Sequence, residues 1–164
     1  MAKNIKVIKL KKVLFISSCG GHLTELLQLD SMFDNYDYYL ATEKTKDSMN
    51  LKNKYKNVSY FVYGTKDHML TYPFKLLFNC FKSLYLYIKI RPKYIVTTGV
   101  HTAGPICCIG KIFKTKIIYI ETFANTEKPT VTGKLIYKFA DLFIVQHKSL
   151  LKVYPNAIYG GWIF

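Results

Sequence analysis

In the stretch LFISSCGGHLTELLQL, residues 14 to 29, the hydrophobic period changes once, and that change limits the folds open to the chain. Residues 13 to 17 form an apolar run ending in Ser17, the pattern of a strand covered on both faces. Beyond Cys19-Gly20-Gly21-His22, the positions Leu23, Leu26 and Leu27, with Met32 or Phe33, recur at helical spacing. The unit is strand, glycine turn, helix.

The same switch recurs along the chain. YDYYLATE (36 to 43) and VSYFVY (58 to 63) read as second and third strands, separated by a lysine-rich exposed helix or loop. A helix follows Pro73 and runs to about Ile90, where Arg91-Pro92 stops it. YIVTTG is a fourth strand entering a second glycine loop, residues 99 to 105, and then a short apolar helix. KIIYIE (116 to 121), a helix in GKLIYKFAD and a sixth strand in LFIVQ (142 to 146) complete the order. Such alternation predicts an α/β fold, a Rossmann-like parallel sheet with helices on both faces. At 164 residues the chain, 1–164, is expected to form a single domain.

Half the residues are hydrophobic, which excludes a disordered chain, so the charge sits on a folded body. Lys and Arg number 24 against 10 Asp and Glu, a formal charge of +14, and Arg91 is the single arginine. Base readout in nucleic acid leans on arginine forks, whereas lysines suit diffuse attraction to a phosphate-rich surface. An anionic membrane surface is therefore expected as a partner and nucleic acid is not; the plainer reading is that the lysines serve solubility. Cys19, Cys80, Cys107 and Cys108 show no zinc-type spacing, so no metal site or cofactor is expected and the thiols fit a reducing compartment. The apolar run at 13 to 16 is too short for a signal peptide, and Lys75, Lys82 and Lys89 interrupt the longest apolar stretch, residues 69 to 90. A cytoplasmic protein, peripheral on the inner face of the cell membrane, is expected.

In open parallel sheets ligands bind beyond the carboxyl ends of the strands, so the loops after Ser17, Thr97 and Ile120 are the places to look. Gly20 and Gly21 allow close backbone approach at a helix start, with Thr24 one residue beyond His22-Leu23, and His22 suits an anionic or hydroxyl-bearing ligand. The signature is incomplete: the third glycine of a dinucleotide fold and the Lys-Ser/Thr of a P-loop are missing, and a plain turn with a surface histidine explains it too. TTGVHTAGP repeats the arrangement, with Gly99 and Gly104 as turn residues and Thr98, His101 and Thr102 as polar contacts. Glu121 ends a strand, where it binds a sugar hydroxyl, orients a histidine or pairs with a lysine. Around Phe74 and Phe78 the third helix is apolar, and Lys75, Lys82 and Lys89, seven apart, form one basic stripe, as in a helix lying at a membrane interface or a core helix with one wet face.

Taken in order, FISSCGGHLTELLQL, TTGVHTAGP, YIETFA, TGKLIYKFADLFIVQ and AIYGG resemble the membrane-recruiting subunits of two-chain glycosyltransferases. That group includes the eukaryotic subunit of the dolichol-linked N-acetylglucosaminyltransferase and bacterial PssD-like proteins of capsule or exopolysaccharide assembly, and its layout is similar to the amino-terminal half of MurG, a GT-B enzyme. The resemblance implies the amino-terminal, acceptor-binding half of a GT-B glycosyltransferase, with a separate small donor-binding subunit as partner and an undecaprenyl-diphosphate-linked glycan as acceptor. It implies Gly20, Gly21 and His22 at the acceptor, Glu121 in the cleft, and Tyr159, Gly160, Gly161 and Trp162 at the partner, with His22 as the base. Asn125 and His147 stand where the family commonly has Arg and Trp. The amino-terminal span of the eukaryotic members is not expected here, which shifts membrane binding to the third helix. Two competing readings are a stand-alone nucleotide-binding enzyme, in which Glu43 holds a ribose, and a non-catalytic lysine-rich docking module.

Overall fold

The computed structural model describes residues 10–64, 72–99 and 102–163. Seven strands form one sheet: β1 (Lys12–Ser17), β2 (Asp37–Glu43), β3 (Val58–Phe61), β4 (Tyr94–Gly99), β5 (Lys116–Ile120), β6 (Leu142–Val145) and β7 (Ile158–Tyr159). Their order is β3-β2-β1-β4-β5-β6-β7, and every pairing is parallel. The helices are α1 (Gly21–Leu27), α2 (Leu51–Lys54), α3 (Tyr72–Ile90), α4 (Ala103–Ile112) and α5 (Val131–Tyr137), with 3-10 turns at Asp30–Asn35 and Lys148–Lys152.

Because crossovers between parallel strands are right-handed, the direction in which the chain moves across the sheet decides which face receives each helix. From β1 toward β3 it moves one way, and Leu26 of α1 and Phe33 of the first 3-10 turn pack with Val13, Phe15, Leu40 and Val96. From β3 onward it moves the other way, and Leu86 and Ile90 of α3, Ile106 of α4 and Ile136 of α5 pack with Leu14, Ile16, Ile95 and Ile117 on the opposite face. We call these faces A and B. The alternation within β1, Val13 and Phe15 against Leu14 and Ile16, is the period of two that lets one strand serve both cores.

The expected α/β sheet with helices on both faces is present. Three details differ. The third strand ends at Phe61 rather than 63, because the side chain of Asn79 on α3 takes over the backbone of Val62, accepting from its N–H at 3.0 Å and donating to its carbonyl at 2.9 Å. The helix expected in GKLIYKFAD is α5, which starts earlier because Thr130 caps it, its hydroxyl accepting from Gly133 N–H at 2.8 Å. The two-residue β7 lies in the AIYGG segment, where no strand was expected.

Candidate functional site

The strand order reverses between β1 and β4, so the loops that leave these two strands diverge and open a crevice at the carboxyl edge. Gly20, at φ 73°, makes the turn after β1 in the left-handed region, and its carbonyl accepts from Leu23 and Thr24 N–H at 3.0 and 3.1 Å to start α1. His22, in the first turn, is bound twice to β4: its Nδ1 lies 2.9 Å from the Thr98 carbonyl, and the Thr98 hydroxyl donates to the His22 carbonyl at 2.8 Å. A carbonyl only accepts, so Nδ1 carries a proton, and the neutral ring presents Nε2 as the acceptor. Gly99 is required on two counts, a φ of 104° and the Tyr119 hydroxyl 2.5 Å from where a Cβ would stand.

Glu43, at the end of β2, is buried. Its carboxylate accepts from the Thr102 hydroxyl at 2.7 Å and from Cys19 N–H and Sγ, each at 3.4 Å. Burial, then the hydrogen bond and charge of Glu43, push the Cys19 thiol up to about 11. Glu43 therefore straps the loop after β1 to the start of α4, and the ribose-holding role that a nucleotide-binding enzyme would give it is overturned. Thr102 is spent on the same strap. Gly104 is the second residue of α4 with no positive φ, not a turn residue. His101 lies outside the described residues.

Glu121, just past β5, is also buried. It accepts from the Tyr154 hydroxyl at 3.0 Å and the Thr130 hydroxyl at 3.1 Å, while Tyr119 and Thr130 hydroxyls lie 3.1 Å apart. Burial raises its carboxyl above the ordinary value, against the pull of those hydroxyls. Its hydrogen bonds come from these hydroxyls, the Thr122 backbone and the Asn125 side chain rather than from a lysine. Gly133 matches this packing, since a Cβ there would press on the Glu121 carboxylate and the Thr130 and Tyr154 hydroxyls.

A carboxylate that the sequence reading missed is Glu25. From α1 it accepts from the Thr122 hydroxyl at 2.7 Å and Phe123 N–H at 3.2 Å, drawing the loop after β5 toward α1; its other oxygen is buried with no partner among the described residues. The signal was present in the i, i+3 spacing of His22 and Glu25, which puts both on one helix face. Beyond it the chain end folds back over the edge: Gly161 turns at φ 67°, Ile163 N–H donates to Gln146 Oε1 at 3.1 Å, and Trp162 meets Phe123 edge-on at 5.0 Å. Phe123 also lies 4.8 Å from the His147 ring, whose Nε2 donates to the Phe123 carbonyl at 2.8 Å. Tyr159, Gly160 and Trp162 are exposed, Trp162 by 77%.

The helix α3 is inverted relative to a core helix. It buries Asn79 and Ser83 with Leu86, Tyr87 and Ile90, and exposes Phe74 by 74%, Phe81 by 66% and Tyr85 by 65%, with Leu77, Phe78 and Ile88 also out. At about 100° per residue the exposed apolar side chains occupy an arc opposite the buried one, and Lys75, Lys82 and Lys89 fall along one border of it. The lysines thus edge the exposed face and do not form it. Burial, then Lys52 and Lys44, lower the Lys82 ammonium, which sits 5.9 Å from the Phe61 ring centre. No helix of the described residues is long and apolar enough to cross a membrane.

A family model described as "Oligosaccharide biosynthesis protein Alg14 like" matches residues 13–163. Among curated proteins, the "UDP-N-acetylglucosamine transferase subunit ALG14" of Homo sapiens is 26% identical over 92% of this chain and 82% of its own length. The protein of that name from Schizosaccharomyces pombe is 28% identical over the same shares. Among solved structures, Acinetobacter baumannii MurG superposes with a TM-score of 0.67 at 16% identity, over 85% of this chain and 42% of that one. A UDP-N-acetylglucosamine 2-epimerase from Rickettsia bellii does so at 0.65 and 17%, over 87% and 40%. The chain thus spans less than half the length of either solved structure, and these two likenesses concern the fold alone.

Proposed function

Because this chain belongs to the Alg14-like family of oligosaccharide biosynthesis proteins, we propose that it is the acceptor-binding, membrane-associating subunit of a two-chain glycosyltransferase. A small donor-binding subunit supplies the UDP-sugar site, and the acceptor is an undecaprenyl-diphosphate-linked glycan in capsule or exopolysaccharide synthesis, at the inner face of the membrane. The observation that best supports the reading is the family match over residues 13–163, with relatives named as subunits of a UDP-N-acetylglucosamine transferase.

In this reading the crevice between β1 and β4 receives the acceptor. The backbone from Gly20 to Gly21, Thr24 and the Gly99 turn surround its diphosphate or sugar, with Gly104 alongside. His22 is the base: held through Nδ1 by Thr98, it takes the acceptor hydroxyl proton on Nε2 as that oxygen bonds to the anomeric carbon and the bond to UDP breaks. Glu121 acts behind the reacting atoms, fixing the loop that follows β5 through Thr130 and Tyr154. Phe74, Phe78 and their neighbours on α3 enter the acyl region while Lys75, Lys82 and Lys89 meet lipid phosphates. Tyr159 to Trp162 meet the donor-binding subunit.

Co-expression with a candidate donor-binding subunit and labelled UDP-sugars, UDP-N-acetylglucosamine first, tests this on membrane extract. Transfer that needs both chains is expected, and His22→Ala should lower it on the order of a hundredfold or more with the pair still assembled. Robust transfer by this chain alone would overturn the reading.

A further inference from the structure

The crevice lies at the carboxyl edge of the sheet. At the opposite, amino edge, where α3 and α4 end and β4 and β5 begin, a second concavity of about 600 Å³ opens. Tyr87 and Phe113 form its apolar wall, their rings stacked at 5.2 Å, and Arg91, Lys93, Lys114 and Lys116 stand around it. The Tyr87 hydroxyl donates to the Thr115 hydroxyl at 2.7 Å, which in turn donates to the Pro92 carbonyl at 2.9 Å, so the fold itself fixes the wall.

Most of these cations are uncommitted. Lys116 meets Asp141 at 2.8 Å, an acid it shares with Lys111 at 3.3 Å. Arg91, Lys93 and Lys114 are exposed, and no carboxylate of the described residues pairs with them. Arg91 and Lys114 also hold a costly backbone. Each follows a helix end at positive φ, 50° and 62°, a region that glycine or asparagine enters at lower cost; the one other non-glycine residue there, among the described residues, is Asn57. A cation near a helix C-terminus offsets the dipole, but Lys89 and Lys111 in the last turns already do so, and Lys12 Nζ donates to the Ile90 carbonyl at 3.1 Å. Strain kept at two cations on one concavity points to a ligand.

We propose that this concavity binds the phosphate of an anionic glycerophospholipid at the membrane surface, the Arg91 fork taking two phosphate oxygens and the Lys93 and Lys114 ammoniums a third. This deepens the membrane-associating reading above and rests on it. Two observations select a lipid. Ile88 lines the concavity and belongs also to the exposed arc of α3, and Ile112 and Phe113 beside it are exposed, so acyl-facing and phosphate-facing surfaces meet along one border. A free anion or a nucleic-acid backbone gains nothing from that aliphatic rim. As the crossover from β3 to β4, α3 also runs from the carboxyl edge to the amino edge, 19 residues or about 28 Å. A head group held at its far end lays the helix along the membrane and brings the crevice, at its near end, to the same surface.

Co-sedimentation with vesicles of phosphatidylcholine and phosphatidylglycerol compares two double variants that remove the same charge. Arg91→Gly with Lys114→Gly is expected to lower binding on the order of tenfold or more, whereas Lys138→Gln with Lys152→Gln, at exposed lysines elsewhere, stays within about threefold. Glycine fits both left-handed positions, so the urea midpoint of the first variant should hold or rise while its binding falls. Equal losses in the two variants, the mark of diffuse attraction, or no loss in the first would overturn the site. In the unsubstituted chain, dihexanoyl phosphatidylglycerol below its micellar concentration should shift the Arg91, Lys114 and Thr115 amide resonances, and inorganic phosphate at the same concentration should not. Equal shifts from both, or from neither, overturn the lipid assignment. If the unsubstituted chain does not bind the vesicles, the membrane-associating reading falls instead, and the amide shifts alone decide the site.

Discussion

The exposed arc of α3 and the groove on face A across β4, β5 and β6, floored by Val96, Ile118, Ile120 and Ile144, are both apolar and both open, yet they differ in shape and in charge. The arc of α3 is convex and edged by Lys75, Lys82 and Lys89. The groove is concave, aliphatic and walled by side chains from three parts of the chain. Hydrophobicity alone says only that each surface is covered in the working protein. A convex arc with a cationic border suits a fluid, anionic surface; a concave slot suits one rigid partner. The inverted helix makes the point sharply, because turning Asn79 and Ser83 inward leaves phenylalanines for something other than the core.

The comparison breaks first at α3. Phe78→Glu with Phe81→Glu removes two rings, each worth about 2 kcal/mol of apolar burial, and should lower anionic-vesicle binding by on the order of a hundredfold or more in co-sedimentation. Pairing with the donor-binding subunit should not move. A loss of pairing in this variant would merge the two surfaces into one.

On the groove side, Gln146 joins the buried carboxylate region to the chain end, donating to the Glu121 carbonyl at 3.1 Å while accepting from Ile163 N–H. Gln146→Leu leaves both groups unpaired and should cost about 2 kcal/mol in urea unfolding, with pairing weakened and vesicle binding retained. A smaller effect belongs to Lys89→Gln, about 1 kcal/mol or fivefold in vesicle binding, vanishing at high salt.

The smallest effect on either surface is expected from Glu121→Gln, whose signature is the pH dependence of stability. Burial raises the folded carboxyl above its ordinary 4.5, so the folded state holds a proton that the unfolded chain has released. Its stability contribution is full below about pH 4.5 and falls as pH rises through the folded value; the glutamine variant should flatten that fall. Denaturant midpoints measured from pH 4 to 8 check the sign.

Much of this was legible in the residues. Six apolar runs and the helices between them gave the layers, and the crossover rule could have told which face each helix covers. The crevice at β1 and β4 was legible as two glycine loops. Which polar groups face it was not: Glu43 and Thr102 read as ligand contacts yet face each other, because pairing across 59 positions has no local pattern. Strand β7 escaped because two exposed residues carry no periodicity. The lysine stripe of α3 was visible, but only packing reveals that the apolar arc is out and the lysines edge it.

The loops of the crevice are tied to one another by His22 with Thr98, Glu43 with Thr102, and Glu25 with Thr122, all within this chain. The positions of Thr98, Thr102 and Thr122 are therefore set during folding, so in the proposed reading an acceptor meeting this crevice costs little further conformational loss at these residues. Under the proposed reading such a subunit waits on the membrane as a finished mould, and the timing of assembly falls to its partner.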